Sequence, residues 1–492
     1  MSKTTLLLMA ISLLSKMLGF LRNSVLSYFY GASSITDAYI LAQSIPSGLL
    51  DFIGTGLFVS FVPVFNKIQK KDKKTFLDVV LSDILVVGLV LFIIGYFFMP
   101  TFLKILAPGF DSNVFDTALM FSRIIMITVL FTGLSYLQKS YLNIQNTFVS
   151  VSFLGFPINL IIILAIIMSY YFNNILFLPI GIVVSALFEE ICLWFMTKRK
   201  GINFKFKLDF HNQEINAMLI LALPMIISIC ANQINLFIDK SLASYTTSGG
   251  ITQLEYGNTF YYFVYSVFIL PVLTVMYPKL ANKLSEKEDY IAIIEDSLEK
   301  ICFFVFPSVC GLMLFSEEII TFMFGSGKLE SNQISVIAMI MNLYSIGYIA
   351  IAFKETFTRI YYVNSNTRIP IKNTIICVLV NILLDFLLIF KLGVYGLPLA
   401  TSLALFISDY VLYQDLKNNY YRISKKLKLT LFIISLSSLG MAVCSIFIKN
   451  MNISSSLFLN LFFQIMITSS IYFLFMLLLK YIIKRYGGNK IK

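Results

Sequence analysis

The sequence predicts an all-α membrane protein that crosses a lipid bilayer fourteen times, and three observations lead to this prediction. Of the 492 residues, 58% are hydrophobic and 13% are charged, whereas soluble globular chains carry roughly 25% charged residues. Apolar stretches on the order of 20 residues, long enough to span a bilayer as a helix, recur from one end of the chain to the other. Lysine and arginine collect in alternate connections between these stretches, as in polytopic membrane proteins.

Short connections join the predicted helices. Their ranges, in chain order, are 5–30, 36–64, 77–106, 116–146, 150–171, 175–197, 213–244, 253–280, 293–318, 332–363, 370–390, 394–416, 429–448 and 456–483. Lys16 and Arg22 interrupt the first apolar stretch. We therefore expect a retained helix there rather than a cleaved signal peptide.

The distribution of basic residues predicts the orientation. With the N-terminus inside, the inner connections and tails hold 26 lysines and arginines and the outer connections hold 4. Because basic residues favour the cytoplasmic side, both termini are expected in the cytoplasm of a bacterium, with the helices in its inner membrane. The net charge of +12 is thus a sign of membrane orientation, and nucleic acid is not an expected partner.

The connections also argue against an enzyme. The longest, about 198–212, is too short for a folded catalytic domain. The chain has one histidine, His211, and therefore no HExxH motif or loop histidine pair, and no DxD motif lies in a loop. A membrane-embedded glycosyltransferase or acyltransferase would need such a metal- or base-bearing motif. Transport without covalent chemistry or a required cofactor is the better prediction.

A weak internal repeat predicts two lobes. The recurring pairs, at offsets of 215–217 residues, are Ser24/Ser241, Ser27/Ser244, Tyr28/Tyr245, Ile35-Thr36/Ile251-Thr252 and Pro63/Pro278. Six helices per repeat keep both lobes in one orientation, with a pseudo-two-fold axis along the membrane normal and a substrate site between them. The predicted domains are therefore 1–212, 213–420 and a C-terminal helix pair at 421–492.

Four cations within the predicted helices suggest an anion site. A charge at the bilayer centre costs at least about 2.5–3.5 kcal/mol, so its presence calls for a reason. Lys16 and Arg22 flank Gly19 in the first predicted helix, while Lys354 and Arg359 lie in the predicted helix 332–363. Guanidinium groups match phosphate oxygens. Lys16 and Arg22 share a face only if the helix bends near Gly19. Pairing with Asp51 or Glu355 is the structural alternative.

A second set of polar residues could hold a small hard cation. Asn381 and Asp385, four residues apart, share one helix face. Thr401 follows Leu397 by one turn beside Pro398, and proline leaves a carbonyl of the preceding turn without its usual partner. With Asp239 these groups would form an all-oxygen cage if their helices meet. Separate helix–helix hydrogen bonds are the alternative.

Several motifs occur in the same order as in a known family. They are Ser15–Arg22, Tyr30-Gly31-Ala32, Thr36–Tyr39, Ile45-Pro46, Phe61–Phe65, Ala107–Phe110, Leu242-Ala243-Ser244, Gly327-Lys328, Asn366–Lys372 and Tyr395–Ser402. In this order the sequence resembles the MurJ/MviN lipid II flippases of the multidrug/oligosaccharidyl-lipid/polysaccharide exporter superfamily. The resemblance covers the first twelve predicted helices.

The resemblance implies alternating access around a cationic cavity that takes a pyrophosphate–sugar headgroup, with the undecaprenyl tail in a groove along the last two helices. Family positions map to Lys16, Arg22 and Asp37, and with Asp51, Lys354 and Arg359 these are the predicted substrate-binding residues. It also implies Na⁺ as a coupling ion. The predicted sodium ligands are Asp239, Asn381, Asp385, the Leu397 carbonyl and Thr401. Cell-wall synthesis enzymes are expected partners.

Some family positions differ here. The helix-2 arginine pair falls at Leu50 and Asp51, an acidic position falls at Thr55, and a helix-8 arginine falls at Thr259. The predicted function is transport of lipid II from the inner to the outer leaflet. Export of another undecaprenyl-linked glycan, such as a capsule unit, is the alternative. A cation-coupled drug exporter fits less well, because such carriers usually have twelve helices and an acidic cavity.

Overall fold

A computed structural model describes residues 3–69, 72–201, 204–209, 212–284, 286–451 and 453–486, and these residues form helices joined by short loops. The first helices are α1 (Lys3–Tyr30), α2 (Ser34–Lys67), α3 (Lys73–Leu106), α4 (Ser112–Ile125), α5 (Val129–Ile144), α6 (Phe148–Phe153), α7 (Gly155–Tyr171), α8 (Phe177–Arg199) and α9 (Gln213–Ala243). The others are α10 (Gly250–Val264), α11 (Leu270–Asn282), α12 (Lys287–Leu314), α13 (Ser316–Phe324), α14 (Ser331–Val363), α15 (Arg368–Leu392), α16 (Gly396–Asn419), α17 (Lys425–Lys449) and α18 (Leu457–Tyr486). The all-α prediction is confirmed.

Several of these helices join into longer spans. A 3-10 turn at Met126–Thr128 connects α4 to α5, and a π-helical turn at Tyr265–Ile269 connects α10 to α11. Among the described residues, ten spans are long and apolar enough to cross a membrane, and α9, bent by 50°, is an eleventh candidate. The multi-pass prediction is confirmed, while the count of fourteen stays a prediction.

The chain folds into two compact units. The first contains Met1–Thr252 together with Gly327–Leu329, and the second contains Gln253–Ser326 together with Glu330–Lys492. The boundary lies inside α10, so α9 belongs to the first unit. The lobe boundaries at 212 and 420, predicted from the repeat, stay a prediction.

In the first unit α2 packs against α4, α5 and α9, and α7 packs against α1 and α8. Buried Phe61, Phe65 and Phe76 stack on one another in its core. A capping box formed by Ser33 and Thr36 begins α2 and satisfies backbone groups at the helix start. Helices α1 and α7 approach closely at Gly155, where an added Cβ would lie 2.2 Å from Ser15 Oγ and the serine side chain would have to move.

In the second unit α14 and α15 pack against α16, and α12 packs against α14 and α17. The C-terminal pair α17–α18 is held to α12 at several points. Glu295 accepts hydrogen bonds from the Ser424 amide and hydroxyl and from Tyr421. Tyr472 donates to the Phe303 carbonyl. Burial raises the pKa of the Tyr421 phenol, so this group remains a donor to Glu295 at neutral pH.

Candidate functional site

The two predicted cations of α1 have different surroundings. Lys16 is exposed and Arg22 is half-buried. Because α1 is helical without interruption through Gly19, the two residues point about 120° apart around the helix axis. The uninterrupted helix therefore does not bring the two cations onto one face.

Arg22 has no carboxylate partner in the part of the chain that the structure describes. Its Nε and Nη2 atoms lie 3.4 Å from Asn23 Oδ1, at the long end of the hydrogen-bond range, and Tyr39 lies within its electrostatic range. The alternative partner predicted from the sequence, Asp51, has a side chain outside the described residues. The guanidinium group thus keeps donors available for an anion.

Asp37 is buried, and its carboxylate is hydrogen-bonded to residues at the start of α10. Its carboxylate accepts hydrogen bonds from the Gly249 amide at 2.8 Å, the Thr252 amide at 2.8 Å and the Thr252 hydroxyl at 2.6 Å. Gly249 directly precedes α10 and Thr252 lies in its first turn, where backbone N–H groups lack helical partners and a negative charge is favourable. We call this set of bonds the Asp37 clasp. The sequence predicted a substrate contact for Asp37, whereas its two oxygens accept hydrogen bonds from Gly249 and Thr252 here.

Further contacts join the same loops. Ser34 Oγ lies 2.8 Å from Ser248 Oγ, and the Gly109 amide donates to Ser244 Oγ at 3.1 Å. The Lys328 amide donates to the Tyr28 carbonyl at 3.1 Å. The α3–α4 loop therefore contacts the end of α9, while the α13–α14 loop contacts the end of α1. The loops that follow α1, α3 and α9 enclose a polar cavity of about 160 Å³.

The second unit holds the other two predicted cations on α14. Arg359 Nη2 lies 3.9 Å from Glu355 Oε2, and the Tyr265 hydroxyl donates to the same oxygen at 3.3 Å. Arg359 therefore pairs with Glu355 at the outer limit of ion-pair distance. This pairing is the structural alternative that the sequence suggested. Lys354 is half-buried and lies within electrostatic range of Asp409.

Sequence reasoning missed the tyrosines beside Arg359. Tyr261 stacks on Tyr265 with ring centroids 6.1 Å apart, and its ring lies 5.8 Å from that of Tyr348. Tyr265 begins the π-helical turn, a distortion that is frequent at functional sites. The spacing of Tyr261 and Tyr265, which places both on one helix face, is the signal that could have revealed them.

The predicted sodium ligands fall in both units. Asp239 is buried in the first unit, and Asn235 Nδ2 donates to it at 3.5 Å. In the second unit Asn381 Nδ2 donates to fully buried Asp385 at 3.2 Å. The Thr401 hydroxyl donates to the Leu397 carbonyl at 3.1 Å. A threonine hydroxyl that folds back onto the carbonyl four residues earlier thus contacts the carbonyl predicted as a sodium ligand.

Another polar network lies between α5 and α8. Glu190 accepts hydrogen bonds from Ser135 and Gln138, and Lys139 pairs with Glu189 at 2.7 Å. These charges stood within the predicted helices without an assigned role. Their partners show that they join two helices of the first unit.

Known proteins match this chain along most of its length. The sequence profile described as "Lipid II flippase MurJ" matches residues 26–477. A "Probable lipid II flippase MurJ" from Buchnera aphidicola subsp. Baizongia pistaciae is 26% identical, over 84% of this chain and 83% of the relative.

Solved structures agree with the profile. "Lipid II flippase MurJ, inward closed conformation" superposes with a TM-score of 0.86 at 25% identity, covering 98% of this chain and all of that one. An inward-facing MATE family transporter of the MOP superfamily has a TM-score of 0.68 at 12% identity, covering 84% of this chain and all of that one. The second likeness shows the fold alone. Because the profile covers most of the sequence, the chain belongs to the lipid II flippase MurJ family.

Proposed function

We propose that this protein moves lipid II from the cytoplasmic to the outer leaflet of the bacterial inner membrane by alternating access. The observation that carries the proposal is the match of the lipid II flippase MurJ profile to residues 26–477. The multi-pass helical fold supplies the transmembrane framework. No covalent step is required, because only the position of the headgroup changes.

Arg22 is the proposed contact for the pyrophosphate. Its guanidinium has only the long contact to Asn23 among the described residues, and this group can donate two parallel hydrogen bonds to phosphate oxygens. Lys16 adds positive charge without the planar fork. Asp51 and Lys354 remain proposed members of the site. Arg359 would exchange its distant contact with Glu355 for a phosphate oxygen.

The Asp37 clasp is the proposed latch of the outer side. It joins the first turn of α2 to the start of α10, and these segments belong to different predicted lobes. Opening toward the outside would break its three hydrogen bonds, so that the buried carboxylate needs new partners. Headgroup binding at Arg22 would compensate for that cost. Asp37 would therefore act on substrate passage through conformation.

Sodium is the proposed coupling ion, with Asp385, Asn381, Thr401, the Leu397 carbonyl and Asp239 as ligands. Carboxylate, amide and carbonyl oxygens are the donors that hard cations prefer. Among the described residues, no group of three or more histidine, cysteine, aspartate or glutamate side chains could hold a metal ion. A site for a monovalent ion would therefore depend on the amide, hydroxyl and carbonyl oxygens as well.

The remaining features of the proposal concern the membrane. The undecaprenyl tail would lie along α17 and α18, whose outward faces carry exposed Phe447, Phe462 and Leu477. Both termini would lie in the cytoplasm, since basic residues concentrate in the predicted inner connections. Enzymes that polymerise the exported precursor are the proposed partners at the outer leaflet.

Complementation tests the substrate. Cells depleted of their own lipid II flippase should survive when this chain is expressed, and a membrane-impermeant probe should detect lipid II headgroups outside. Survival of cells with an inactive Arg22→Ala variant produced at equal level would contradict the proposed site. Failure of the native chain to rescue, together with export of another undecaprenyl-linked glycan, would favour the alternative substrate. Thr259, in place of the family arginine, is the residue from which this alternative was inferred.

A further inference from the structure

The end of α8 and the segment after it carry an unusual combination of side chains. Five cations lie within ten residues, and all five are exposed: Lys198, Arg199, Lys200, Lys205 and Lys207. No ion pair engages any of them in the described part of the chain. Phe204, Phe206 and Leu208 alternate with the last two of these cations, Trp194 lies four residues before Lys198, and all four of these large apolar side chains are exposed. We call these nine residues the α8 platform.

The segment of the α8 platform after α8 is fixed in place. The Lys205 amide donates to Asp78 Oδ1 at 3.1 Å, and the Lys207 amide donates to Ser82 Oγ at 2.8 Å. Asp78 and Ser82 are buried in α3. Two buried acceptors thus hold the backbone on α3 while its aromatic and basic side chains remain at the surface. In a loop surrounded by water, exposed phenylalanine side chains would be unfavourable, because their apolar surface would be in contact with water.

Trp194 places the other end of the α8 platform at a membrane boundary. It lies in the last turns of α8, which is long and apolar enough to span, and 45% of its surface is exposed. Lys198 Nζ lies 5.0 Å from the centre of its ring. Tryptophan is enriched where hydrocarbon meets headgroups, and lysine extends from there toward phosphates.

We propose that the α8 platform binds anionic phospholipid headgroups of the cytoplasmic leaflet. The cations would contact headgroup phosphates, and the aromatic rings would enter the interface beside the acyl chains. Charge complementarity favours this ligand, since five cations face only Asp209 as an acid in the described residues from 194 to 209. Each cation near an anionic membrane surface contributes about 1 kcal/mol, or roughly a fivefold gain in affinity.

The single tryptophan of the chain allows a local test. The native protein is reconstituted into phosphatidylcholine vesicles that contain a minority of brominated phosphatidylglycerol or, in a parallel sample, of brominated phosphatidylcholine. Bromine quenches tryptophan fluorescence only at short range. We expect stronger quenching of Trp194 by the anionic lipid. Equal quenching by both lipids would overturn the proposal, because the α8 platform would then show no preference for the anionic headgroup.

Charge variants test the cause of the preference. Replacing Arg199, Lys200, Lys205 and Lys207 by glutamine, while keeping Lys198 on the Trp194 ring, should bring quenching by the two lipids to the same level. The matched control replaces four exposed cations of another predicted inner connection, Lys417, Arg422, Lys425 and Lys426, by glutamine and should keep the preference. A preference that survives in the platform variant, or disappears in the control, would contradict the proposal.

Discussion

At the scale of single residues, the guanidinium of Arg22 has the sharpest consequence, because among the described residues it makes only long contacts to Asn23. Arg22→Ala should lower transport at least tenfold, because a hydrogen bond to a charged group contributes about 1.5–3 kcal/mol. Its unfolding temperature should match that of the native protein, since Arg22 has no ion pair among the described residues to lose. Arg422→Ala, at an exposed arginine, is the control. Headgroup translocation in vesicles is measured for the native protein, Arg22→Ala and Arg422→Ala. Full activity of Arg22→Ala would disprove the assignment of Arg22 to the substrate site.

Asp385 carries the sodium prediction. Asp385→Asn keeps the shape of this fully buried side chain but removes its charge. Sodium at about 100 times its dissociation constant would stabilise the native protein by about 2.7 kcal/mol, and we expect this rise in unfolding temperature to vanish in the variant. The unfolding temperature, measured in sodium and in choline salts, gives the size of this rise. Asp409→Asn, at a carboxylate outside the proposed sodium ligands, is the control. An unchanged sodium response would remove Asp385 from the proposed ligands.

Single residues also mark the limit of prediction from sequence. Arg22 and Asp37 could be singled out because a charge within an apolar stretch is rare and costly. The partners of Asp37 could not, since two of its three bonds come from backbone amides more than 200 residues away. Every residue except proline has a backbone N–H group, so the amino-acid sequence does not show which of these groups will be the donors. Tyr265 was missed because a tyrosine in a membrane helix is ordinary until its neighbour, Glu355, is known.

At the scale of elements, the contact between two turns gives a test of alternating access. Ser34 and Ser248 have hydroxyl oxygens 2.8 Å apart, so Ser34→Cys with Ser248→Cys should form a disulfide on oxidation. If the α1–α2 and α9–α10 turns must separate during transport, the oxidised protein should be inactive and a reductant should restore it. Ser34→Cys alone should stay active under oxidation. Full activity of the crosslinked protein would contradict separation of these turns.

Helix positions were predicted well, but helix ends and interruptions were not. The prediction of 5–30 corresponds to α1, whereas the predicted helix at 293–318 corresponds to α12, Lys287–Leu314, followed by the separate α13. The length of an apolar stretch in the sequence indicates only the part of a helix that lies in the hydrocarbon core of the bilayer. Charged residues such as Glu288 and Asp289 continue the helix into water, where they favour its first turn. The π-helical turn of Tyr265–Ile269 has no comparable signature.

At the scale of the whole molecule, charge predicts how transport is driven. A carrier that has released an anion outside returns with uncompensated positive charge, and an inside-negative potential contributes about 2.3 kcal/mol per charge per 100 mV. We therefore expect potassium–valinomycin potentials that are negative inside to accelerate transport in right-side-out vesicles. Collapse of the potential should slow it. A rate independent of potential would contradict a cationic return step.

The sequence predicted the overall architecture because composition and alternating basic loops act over the whole chain. The all-helical, multi-pass fold follows from them without knowledge of any contact. The repeat predicted lobes that meet at 212, whereas the structure divides inside α10, and the lobe boundary stays a prediction. Division into units depends on packing, such as that of α9 against α2, which a repeat cannot specify.

The Asp37 clasp has a consequence for biosynthesis. Its bonds join positions 212 and 215 residues apart, so α2 must enter the membrane long before the ribosome has made the start of α10. During that interval the acid is without its final ligands and requires water, a proton or an insertion chaperone. Nascent chains arrested before residue 249 should therefore be degraded by membrane quality-control proteases faster than chains arrested after residue 252.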